Sequence, residues 1–385
     1  MKKIALSALA ALVVAPALLA GTTKLYTDTA TGQVFTQPGE NRIEMKKSDT
    51  PVYAKTSKLK FSGVHYLGFK ASSPENGDTT TNFETRRNYF QVKAYLFDDP
   101  KSYLRTTLDT HQDETGDWKV RLKYAYLYLN EVLPNTGMEF GQVHRPWIDY
   151  EEHQGWWVRS ISKVFVEASE ASHLTNSADL GVNFKTKTDY FTSEVGLFNG
   201  EGYHAQETGA GNSLEWRATA AILGNGKKKR KPLKDDYFDA SFFGQYNMDS
   251  SKNDEQTYAI YGLHTVYNMP SLLVSGQYVV SDNDNELSDT SQYNGSGFSL
   301  NGTYRFGDKK EYSIIGRYDN WTAEKTLSGE EYETNSYIYG AAWQQNKNVK
   351  WLLSGQTYDP ADGKNYKGID VEKRTDILVT AEVHW

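Results

Sequence analysis

Basic side chains recur in four consecutive segments of the chain, and the chemistry available to them is electrostatic. Apolar residues alternate with them, and in a β-strand such alternation places the two sets on opposite faces. Rows of fixed charges in a pore select ions by sign. Two acids, Asp109 and Glu139, share the predicted charged face. The cations of this predicted basic wall are Arg87, Lys93, Arg105, Arg121, Lys123 and Arg145.

Alternation also predicts which residues face away from the basic wall. Leu104 and Leu108 are expected on the outer face. In the next segment Leu122 is expected there, together with three tyrosines, Tyr124, Tyr126 and Tyr128. The charged residues of the basic wall have a possible second role, which is structural. Salt bridges between Arg105 and Asp109 and between Arg121 and Glu139 would stiffen the wall, and this role is compatible with selecting ions.

Residues 146–176 form the longest connection and the least typical of a loop. Trp147, Trp156, Trp157 and Phe165 would not be left in water on an exposed loop. We therefore predict that this loop folds into the interior of a β-barrel formed by the alternating segments. There it would narrow a channel that is otherwise wide. Packing on a neighbouring subunit is the alternative. The charged residues of this loop are expected to produce a transverse electric field together with the basic wall. They are Asp149, Glu151, Glu152, Arg159 and Lys163.

The elements that must position these residues are β-strands. From about Lys58 to the end we count sixteen alternating segments, which begin near Lys58, Arg87, Lys101, Lys119, Thr136, Ser177, Tyr190, Ser213, Tyr237, Thr257, Ser271, Gly295, Glu311, Ser336, Val349 and Lys373. Short breaks such as 98–100 and 347–348 alternate with mostly longer ones such as 72–86 and 322–335, with 224–236 as the exception. An even strand number, short periplasmic turns and long outer loops are typical of bacterial outer-membrane barrels. We predict an all-β, sixteen-stranded antiparallel transmembrane β-barrel over residues 58–385, whereas a soluble sandwich would explain only the alternation.

Composition favours the same class. Aromatic residues make up 14% of the chain, although its mean hydropathy is −0.66. A barrel reconciles the two values, because its strands alternate between lipid and a wet lumen. The chain has no cysteine, and its net charge of −7 gives no support to nucleic-acid binding. The basic run 227–231 is predicted to be a solvated turn.

The two ends predict export and membrane assembly. Lys2 and Lys3 precede an apolar run, so residues 1–20 are predicted to be a signal peptide. Residues 21–57 are expected to be a polar periplasmic segment with a short hairpin between positions 25 and 35. At the other end, Ile377, Val379 and Trp385 share one face of the last strand, with Leu378 as an apolar exception on the opposite face. The predicted location is the outer membrane of a Gram-negative bacterium.

Two runs, FETRRNYFQVKAYLFDDPKSYLRTTLDT and LKYAYLYLNEVLPNTGMEFGQVHRPW, resemble the phosphate-selective porin O/P family. The residues at its motif positions are Arg86, Arg87, Ala125, Tyr126, Gly141, Gln142 and Pro146. The resemblance covers about the first third of the mature chain, and beyond Lys187 it rests on strand rhythm. It implies a homotrimeric, passive, sixteen-stranded diffusion channel, with an aromatic last strand as the assembly signal. The family's full ladder of arginines is not found, so phosphate is not predicted as the solute.

The predicted function is that of an outer-membrane porin, a water-filled channel for small polar or ionic solutes with a preference for anions. An adhesin or receptor barrel and a barrel-type hydrolase are the alternatives. The sequence has no G-x-S-x-G or H-E-x-x-H motif, so no enzymatic activity is predicted. No cofactor or metal is predicted, although residues 282–286 offer oxygen ligands of the kind Ca²⁺ takes. Lipopolysaccharide and outer-membrane lipid are the expected surroundings.

Overall fold

The structure is a computed structural model that describes residues 26–30, 34–44, 58–95, 97–204, 211–249, 257–283, 294–324, 330–361, 363–365 and 369–385. The chain divides into two compact units, Met1–Lys58 and Leu59–Trp385. The predicted signal peptide, residues 1–20, lies outside the described residues.

The first unit contains a three-stranded antiparallel sheet. β1 (Tyr26–Asp28) lies between β2 (Val34–Phe35) and β3 (Arg42–Glu44). The guanidinium of Arg42 lies 3.3 Å from the centroid of the Phe35 ring and joins the two outer strands. β1 and β2 form the hairpin that was expected between positions 25 and 35. The third strand was not predicted, because three residues are too few for alternation to be recognised.

The second unit is a closed antiparallel barrel of sixteen strands, as predicted. Each strand pairs with the next in the chain, and β19 pairs with β4 to close the barrel. The strands are β4 (Leu59–Pro74), β5 (Thr80–Ala94), β6 (Tyr103–Gln112), β7 (Trp118–Leu133), β8 (Thr136–His144), β9 (Ala178–Lys187), β10 (Phe191–Phe198), β11 (Gly211–Leu223), β12 (Tyr237–Asp249), β13 (Thr257–Met269), β14 (Leu272–Asn283), β15 (Asn294–Phe306), β16 (Tyr312–Glu324), β17 (Glu331–Gln344), β18 (Val349–Pro360) and β19 (Arg374–His384).

From β7 onward the connections follow the predicted order of short and longer breaks. Before β7 the prediction is wrong, because the connections 75–79 and 113–117 at the long-loop edge are shorter than 95–102 at the short-turn edge. At one edge of the barrel the connections shorten to 134–135 and 270–271, while the connection 145–177 at the other edge is the longest. The break 224–236 remains the exception. β5 begins at Thr80, earlier than the predicted start near Arg87, so the expected loop 72–86 contracts to 75–79.

The two faces of each strand differ in exposure. In β19, Ile377 and Val379 are each 42% exposed, whereas Leu378 and Thr380 are buried. Near the short turns, exposed aromatic side chains form part of a belt, namely Tyr304, Phe306, Tyr312, Trp343 and Trp351. Apolar exposed faces with interfacial aromatic rings are the outer surface of a membrane barrel. The predicted outer-membrane barrel class and location follow from this fold. Among the described residues, no helix is long and apolar enough to cross a membrane.

The C-terminal Trp385 closes the seam between β19 and β4. Its backbone N–H donates to the Gly63 carbonyl at 3.1 Å, and the Gly63 N–H donates to the Trp385 carbonyl at 3.0 Å. The indole N–H donates to Nε2 of His65 at 2.8 Å. A Cβ at position 63 would lie 2.4 Å from the indole, so the close approach requires glycine.

Residues 145–177, which join β8 to β9, are called the long segment below. They begin with a helix, α1 (Pro146–Gln154), that was predicted only as part of a loop. Pro146 stands in its first turn, where the missing N–H costs no hydrogen bond, and Asp149 in the same turn complements the helix dipole. α1 ends at Gly155, and the remainder follows an irregular path with several turns.

Candidate functional site

A bulge in β7 decides which side chains form the inner surface of the wall. Leu122 is 41% exposed, as alternation predicts, but Lys123 and Tyr124 are consecutive and both buried. The pairing with β6 skips Lys123, so the phase of the strand reverses there. Tyr126 is buried as well, and the Tyr128 ring packs against that cluster. The predicted outward orientation of Tyr124, Tyr126 and Tyr128 is therefore wrong.

Two motif residues of β8 hold this bulge. Gly141 has a φ of 125°, a conformation that favours glycine. A Cβ there would lie 2.4 Å from the Ala125 carbonyl oxygen of β7. The Gln142 side-chain amide donates to the Leu122 and Lys123 carbonyls at 2.6 and 3.0 Å. Since backbone polar groups in a membrane barrel need internal partners, Gln142 satisfies two carbonyls at the bulge, and Gly141 permits the close approach of the two strands.

Asp109 neutralises two cations of the basic wall. Its Oδ2 accepts hydrogen bonds from Arg87 at 3.1 Å and from Arg121 at 2.9 and 3.2 Å. Asp109 is fully buried, and Arg121 is its direct cross-strand partner. Among the described residues, the alternative pairs of Arg105 with Asp109 and Arg121 with Glu139 do not form. The register of β6 and β7 instead brings Arg121 to Asp109.

Arg105 has a different environment. Its Nη1 donates to the Tyr126 hydroxyl at 3.1 Å and lies 2.7 Å from Nε2 of His144. The guanidinium centre lies 4.6 Å from the centroid of the Tyr124 ring. Aromatic faces attract cations through their quadrupole, so these rings provide part of the stabilisation that a carboxylate would provide elsewhere.

The two lysines of the basic wall also have aromatic partners. Lys93 Nζ lies 4.5 Å from the centroid of the Tyr103 ring. Lys123 Nζ donates to the Tyr89 hydroxyl at 2.8 Å and lies 4.7 Å from that ring's centroid. Within the described part of the chain, neither lysine nor Arg105 has a carboxylate within 4.0 Å. These three cations therefore differ from Arg87 and Arg121.

Glu139 and Asp149 pair with a lysine that the sequence analysis did not identify. Lys185 of β9 lies 3.6 Å from Glu139 and 3.5 Å from Asp149. His144 lies 3.5 and 3.7 Å from the same two carboxylates. Although burial alone would raise the pKa of Asp149, the charges of His144 and Lys185 hold it well below its usual value. The inward position of Lys185 on β9 was available from alternation.

Arg145 anchors the start of α1 and is 2% exposed. Its guanidinium lies 3.0 Å from carboxylates of Asp179 and Glu215 and donates to the Gln245 side chain at 3.0 Å. These partners belong to β9, β11 and β12. The residue thus joins three strands to the long segment, and its predicted pore-lining role remains a prediction.

The charges of the long segment pair mainly with one another. Arg159 bonds both carboxylate oxygens of Glu167, at 2.7 and 3.2 Å, and contacts Glu152. Lys163 lies 3.2 Å from Glu167. Glu167, which is buried within the segment, was not predicted as a site residue. The acidic side of the predicted transverse field is therefore largely neutralised.

Glu151 is the acid of α1 that lacks a cation within ion-pairing distance among the described residues. Its carboxylate contacts the Gln277 side-chain amide, and the residue is 1% exposed. Burial raises the pKa of Glu151 to about 7, although the charge of Arg317 opposes the shift. A neutral carboxylic acid at this position costs less to bury than a carboxylate.

An apolar cluster joins the long segment to the strands of one side of the barrel. The Trp147 ring stacks on Phe243 of β12, with centroids 3.7 Å apart and planes 1° apart. Leu378, the apolar exception on the buried face of β19, packs in this cluster. The other members include Ile148, Trp156, Val158, Ile161, Val164, Phe165 and Val166 of the segment and Ile260, Val279, Ile315, Ile338 and Leu352 of the strands.

Polar contacts join the long segment to further strands. On β5, Nε of Arg86 donates to the Ser160 carbonyl at 2.9 Å, and Nη2 donates to the Ile161 carbonyl at 3.0 Å. The other strand residues that bond the segment include Tyr237, Tyr258, Arg317, Lys350 and Arg374. The expected position of this segment inside the barrel remains a prediction, and contacts with strands around the closed barrel support it.

The basic run 227–231 is only partly a solvated turn. Lys228 is 66% exposed in its side chain and pairs with Asp235 at 3.2 Å. The Arg230 side chain is 8% exposed and bonds Asp239 of β12, which also accepts a hydrogen bond from Tyr150 of α1 at 2.5 Å. The prediction is wrong for Arg230, because a buried carboxylate at the start of β12 draws it inward.

No group of three or more His, Cys, Asp or Glu side chains arranged to hold a metal ion occurs among the described residues. Of the acidic stretch 282–286, only positions 282 and 283 belong to that part of the chain.

Comparisons with known proteins connect this chain to others through its structure. No protein-family model and no curated protein sequence matches it. OmpT of Vibrio cholerae in its trimer form is 13% identical, with a TM-score of 0.56 over 85% of this chain and 99% of that one. OprB of Pseudomonas putida is 10% identical, with a TM-score of 0.58 over 87% and 96% of the two chains. The outer membrane channel DcaP of Acinetobacter baumannii is 11% identical, with a TM-score of 0.57 over 86% and 98%.

At these identities the likeness extends to the fold, and the chain has the barrel fold of outer-membrane porins. The narrower resemblance to the phosphate-selective porin O/P family remains a prediction.

Proposed function

We propose that this protein is a passive diffusion channel of the outer membrane that conducts small polar or ionic solutes and prefers anions. The closed sixteen-stranded barrel supports a channel, as does the shared fold with a protein described as an outer membrane channel. The observation that carries the preference is the environment of Lys93, Arg105 and Lys123. Each cation has aromatic partners, and the described residues place no carboxylate within ion-pairing distance of it.

The long segment is proposed to fill part of the lumen and leave the solute path beside the basic wall. Its apolar cluster packs on β12–β14 and β16–β19, and Arg86 of β5 bonds the carbonyls of Ser160 and Ile161 in the same segment. Lys93 and Arg105 are only partly buried, which is consistent with free space in front of them. The constriction loop and the pore-lining wall keep their proposed roles, and we propose that Arg145 also anchors the long segment to β9, β11 and β12.

Net charge does not oppose a preference for anions. The chain carries −7 overall, but acids such as Asp113 and Asp117 lie in the connections at the long-loop edge. At physiological ionic strength the Debye length is about 8 Å, so charges farther away are largely screened at the wall. Arginine stays protonated at accessible pH, so the contribution of Arg105 to the preference is expected to persist across buffers.

We further propose a homotrimer within outer-membrane lipid and lipopolysaccharide. The support is the shared fold with a protein whose structure is a trimer form. The exposed apolar faces of the strands would contact lipid and neighbouring subunits. The proposed activity is transport of small polar or anionic solutes and not catalysis, with neither a cofactor nor nucleic acid as a partner.

Planar-bilayer recording tests the channel directly. The purified protein, shown to be folded by its heat-modifiable mobility in gels, should insert and give steady current that rises in trimer-sized steps. A heat-denatured sample is the matched control and should give none. Folded protein that inserts but passes no current at any voltage would mean a closed barrel and would contradict the proposal.

A further inference from the structure

Three cations lie in one cross-strand row at the short-turn end of the barrel. Lys60 of β4 pairs in register with Lys93 of β5, and Lys93 pairs with Arg105 of β6. Like charges directly opposite one another on a sheet are destabilising. Within the described part of the chain, none of the three has a carboxylate within 4.0 Å. The nearby acids Glu139 and Asp149 pair with Lys185 instead, so the repulsion in this cation row is not relieved by a direct ion pair.

Tyrosine rings accompany the cation row. Lys60 Nζ lies 4.7 Å from the centroid of the Tyr95 ring, and Lys93 Nζ lies 4.5 Å from that of Tyr103. The Tyr95 and Tyr103 centroids are 5.3 Å apart, and Tyr128 stacks on Tyr103 at 5.0 Å and 28°. All three rings are only partly buried. The row and the rings together present positive charge next to partly exposed aromatic side chains.

A solute that suits both features carries a negative charge and a flat apolar body. A carboxylate placed between the cations would relieve their repulsion through charge-assisted hydrogen bonds. A planar ring attached to it would pack on the tyrosines in the stacked or edge-to-face arrangements that aromatic pairs prefer. Inorganic anions and short aliphatic acids would interact only with the cations and would not pack on the tyrosine rings.

We propose that Lys60, Lys93 and Arg105 with Tyr95, Tyr103 and Tyr128 form a subsite that binds small aromatic carboxylates on their way through the barrel. The inference deepens the proposed function, since it names a solute class for the same wall. The bulge at Lys123 contributes indirectly, because it turns the tyrosines of β7 toward this surface.

Binding of benzoate to the folded barrel in detergent tests the subsite without any measurement of current. Isothermal titration should show benzoate binding about tenfold more tightly than acetate, the factor expected from one aromatic stacking contact. Benzamide, which keeps the ring but lacks the charge, should bind more weakly than benzoate. Equal affinities for benzoate and acetate, or benzoate affinity matched by glucuronate or inorganic phosphate, would overturn the aromatic assignment.

Two variants separate the charge from the ring. Lys93→Gln should weaken benzoate binding about tenfold, whereas Lys101→Gln, at an exposed position at the same edge of the barrel, should leave it unchanged. Tyr103→Leu should reduce benzoate affinity to that of acetate, and Tyr95→Leu provides the same test if the first variant does not fold. Equal losses in Lys93→Gln and Lys101→Gln would contradict the subsite.

Current recordings on the same samples keep the two proposals apart. A barrel that conducts ions but does not distinguish benzoate from acetate overturns the subsite and leaves the channel intact. A barrel that binds benzoate as described but passes no current overturns the channel and leaves the subsite. If both hold, benzoate should reduce the chloride current saturably, and Lys93→Gln should require about tenfold more benzoate for the same reduction.

Discussion

The buried faces of β5–β7 and of β12–β19 start from the same alternation but carry different chemistry. On β12–β19 several buried positions are apolar, among them Phe243, Ile315 and Leu378, and they pack on the long segment. On β5–β7 the buried positions carry cations and tyrosines, and part of this surface is accessible. An apolar residue on the otherwise polar face of these strands therefore marks a place where the long segment packs against the barrel wall.

The arginines of these two regions also differ in their partners. Arg145, the first residue of the long segment, and Arg317 of β16 are buried in ion pairs and connect the segment to the strands. Arg105 is partly buried, with aromatic rings and no carboxylate within ion-pairing distance among the described residues. Under the proposed function, the first kind stabilises the constriction and the second acts on the solute.

Removing a large side chain from the apolar cluster between the long segment and the strands should have the largest effect on stability. Trp156 is 1% exposed, and its indole N–H donates to the Ser162 carbonyl at 2.7 Å. Trp156→Ala should lower the free energy of unfolding by about 3–5 kcal/mol, because it leaves a cavity that the neighbours only partly fill. Urea unfolding in lipid vesicles, followed by circular dichroism, measures this change.

The matched control is Trp118→Ala, which removes a tryptophan that is 53% exposed at the outer end of β7. It should change the free energy of unfolding by less than about 1 kcal/mol. Similar losses for both variants would contradict an anchored cluster around Trp156.

A substitution on the basic wall is expected to change the ion selectivity of the channel. Asp109→Asn removes the carboxylate that neutralises Arg87 and Arg121. The anion-to-cation permeability ratio should rise about twofold to fivefold, the factor for one unit charge a few ångströms from a hydrated path. Reversal potentials in a KCl gradient measure the ratio, with Asp113→Asn at the outer turn as the control. A fall in the ratio, or an equal rise in the control, would place Asp109 away from the solute path.

The smallest effect is expected from Glu151, where stability should depend on pH. Its pKa is raised from 4.5 to about 7 in the folded protein, so above pH 4.5 the unfolded chain releases a proton that the folded chain still holds. Stability is therefore lost as pH rises from about 4.5 to about 7 and stays lower above that range. Glu151→Gln should raise the free energy of unfolding by about 1–3 kcal/mol at pH 8 and leave it nearly unchanged at pH 4.

Thermal unfolding in detergent at the two pH values checks this prediction. Glu114→Gln, at an exposed outer position, provides the control and should have no pH-dependent effect. A stabilisation by Glu151→Gln that is equal at pH 4 and pH 8 would show that burial does not raise the pKa of Glu151.

The sequence was sufficient for the barrel because strand alternation and turn chemistry are local. The starts of β8, β12, β13 and β18 were predicted at the residues where they occur. The orientation of Tyr124 and Tyr126 could not be predicted, because one skipped residue at Lys123 reverses the phase without changing composition. The Gly141–Gln142 pair was the available signal, since it lies opposite the bulge.

The pairing of charges was harder to predict than their faces. Arg121 was placed on the inner face, and the structure brings it to Asp109, but choosing between Asp109 and Glu139 requires the register of neighbouring strands. Glu167 and Lys185 were missed for different reasons. Glu167 lies in an irregular path without periodicity, while Lys185 lies in β9, a strand whose faces were not assigned although its alternation places this lysine inward.

We propose that cations without carboxylate partners on one wall make the channel prefer anions. The deciding measurement is the reversal potential of the wild-type protein in a KCl gradient, compared with that of the Lys93→Gln, Arg105→Gln double variant. We expect an anion-preferring wild type, a shift toward cations in the double variant, and no shift in Lys119→Gln, whose side chain is 61% exposed at the outer turn. A cation-preferring wild type, or identical reversal potentials in wild type and double variant, would contradict it.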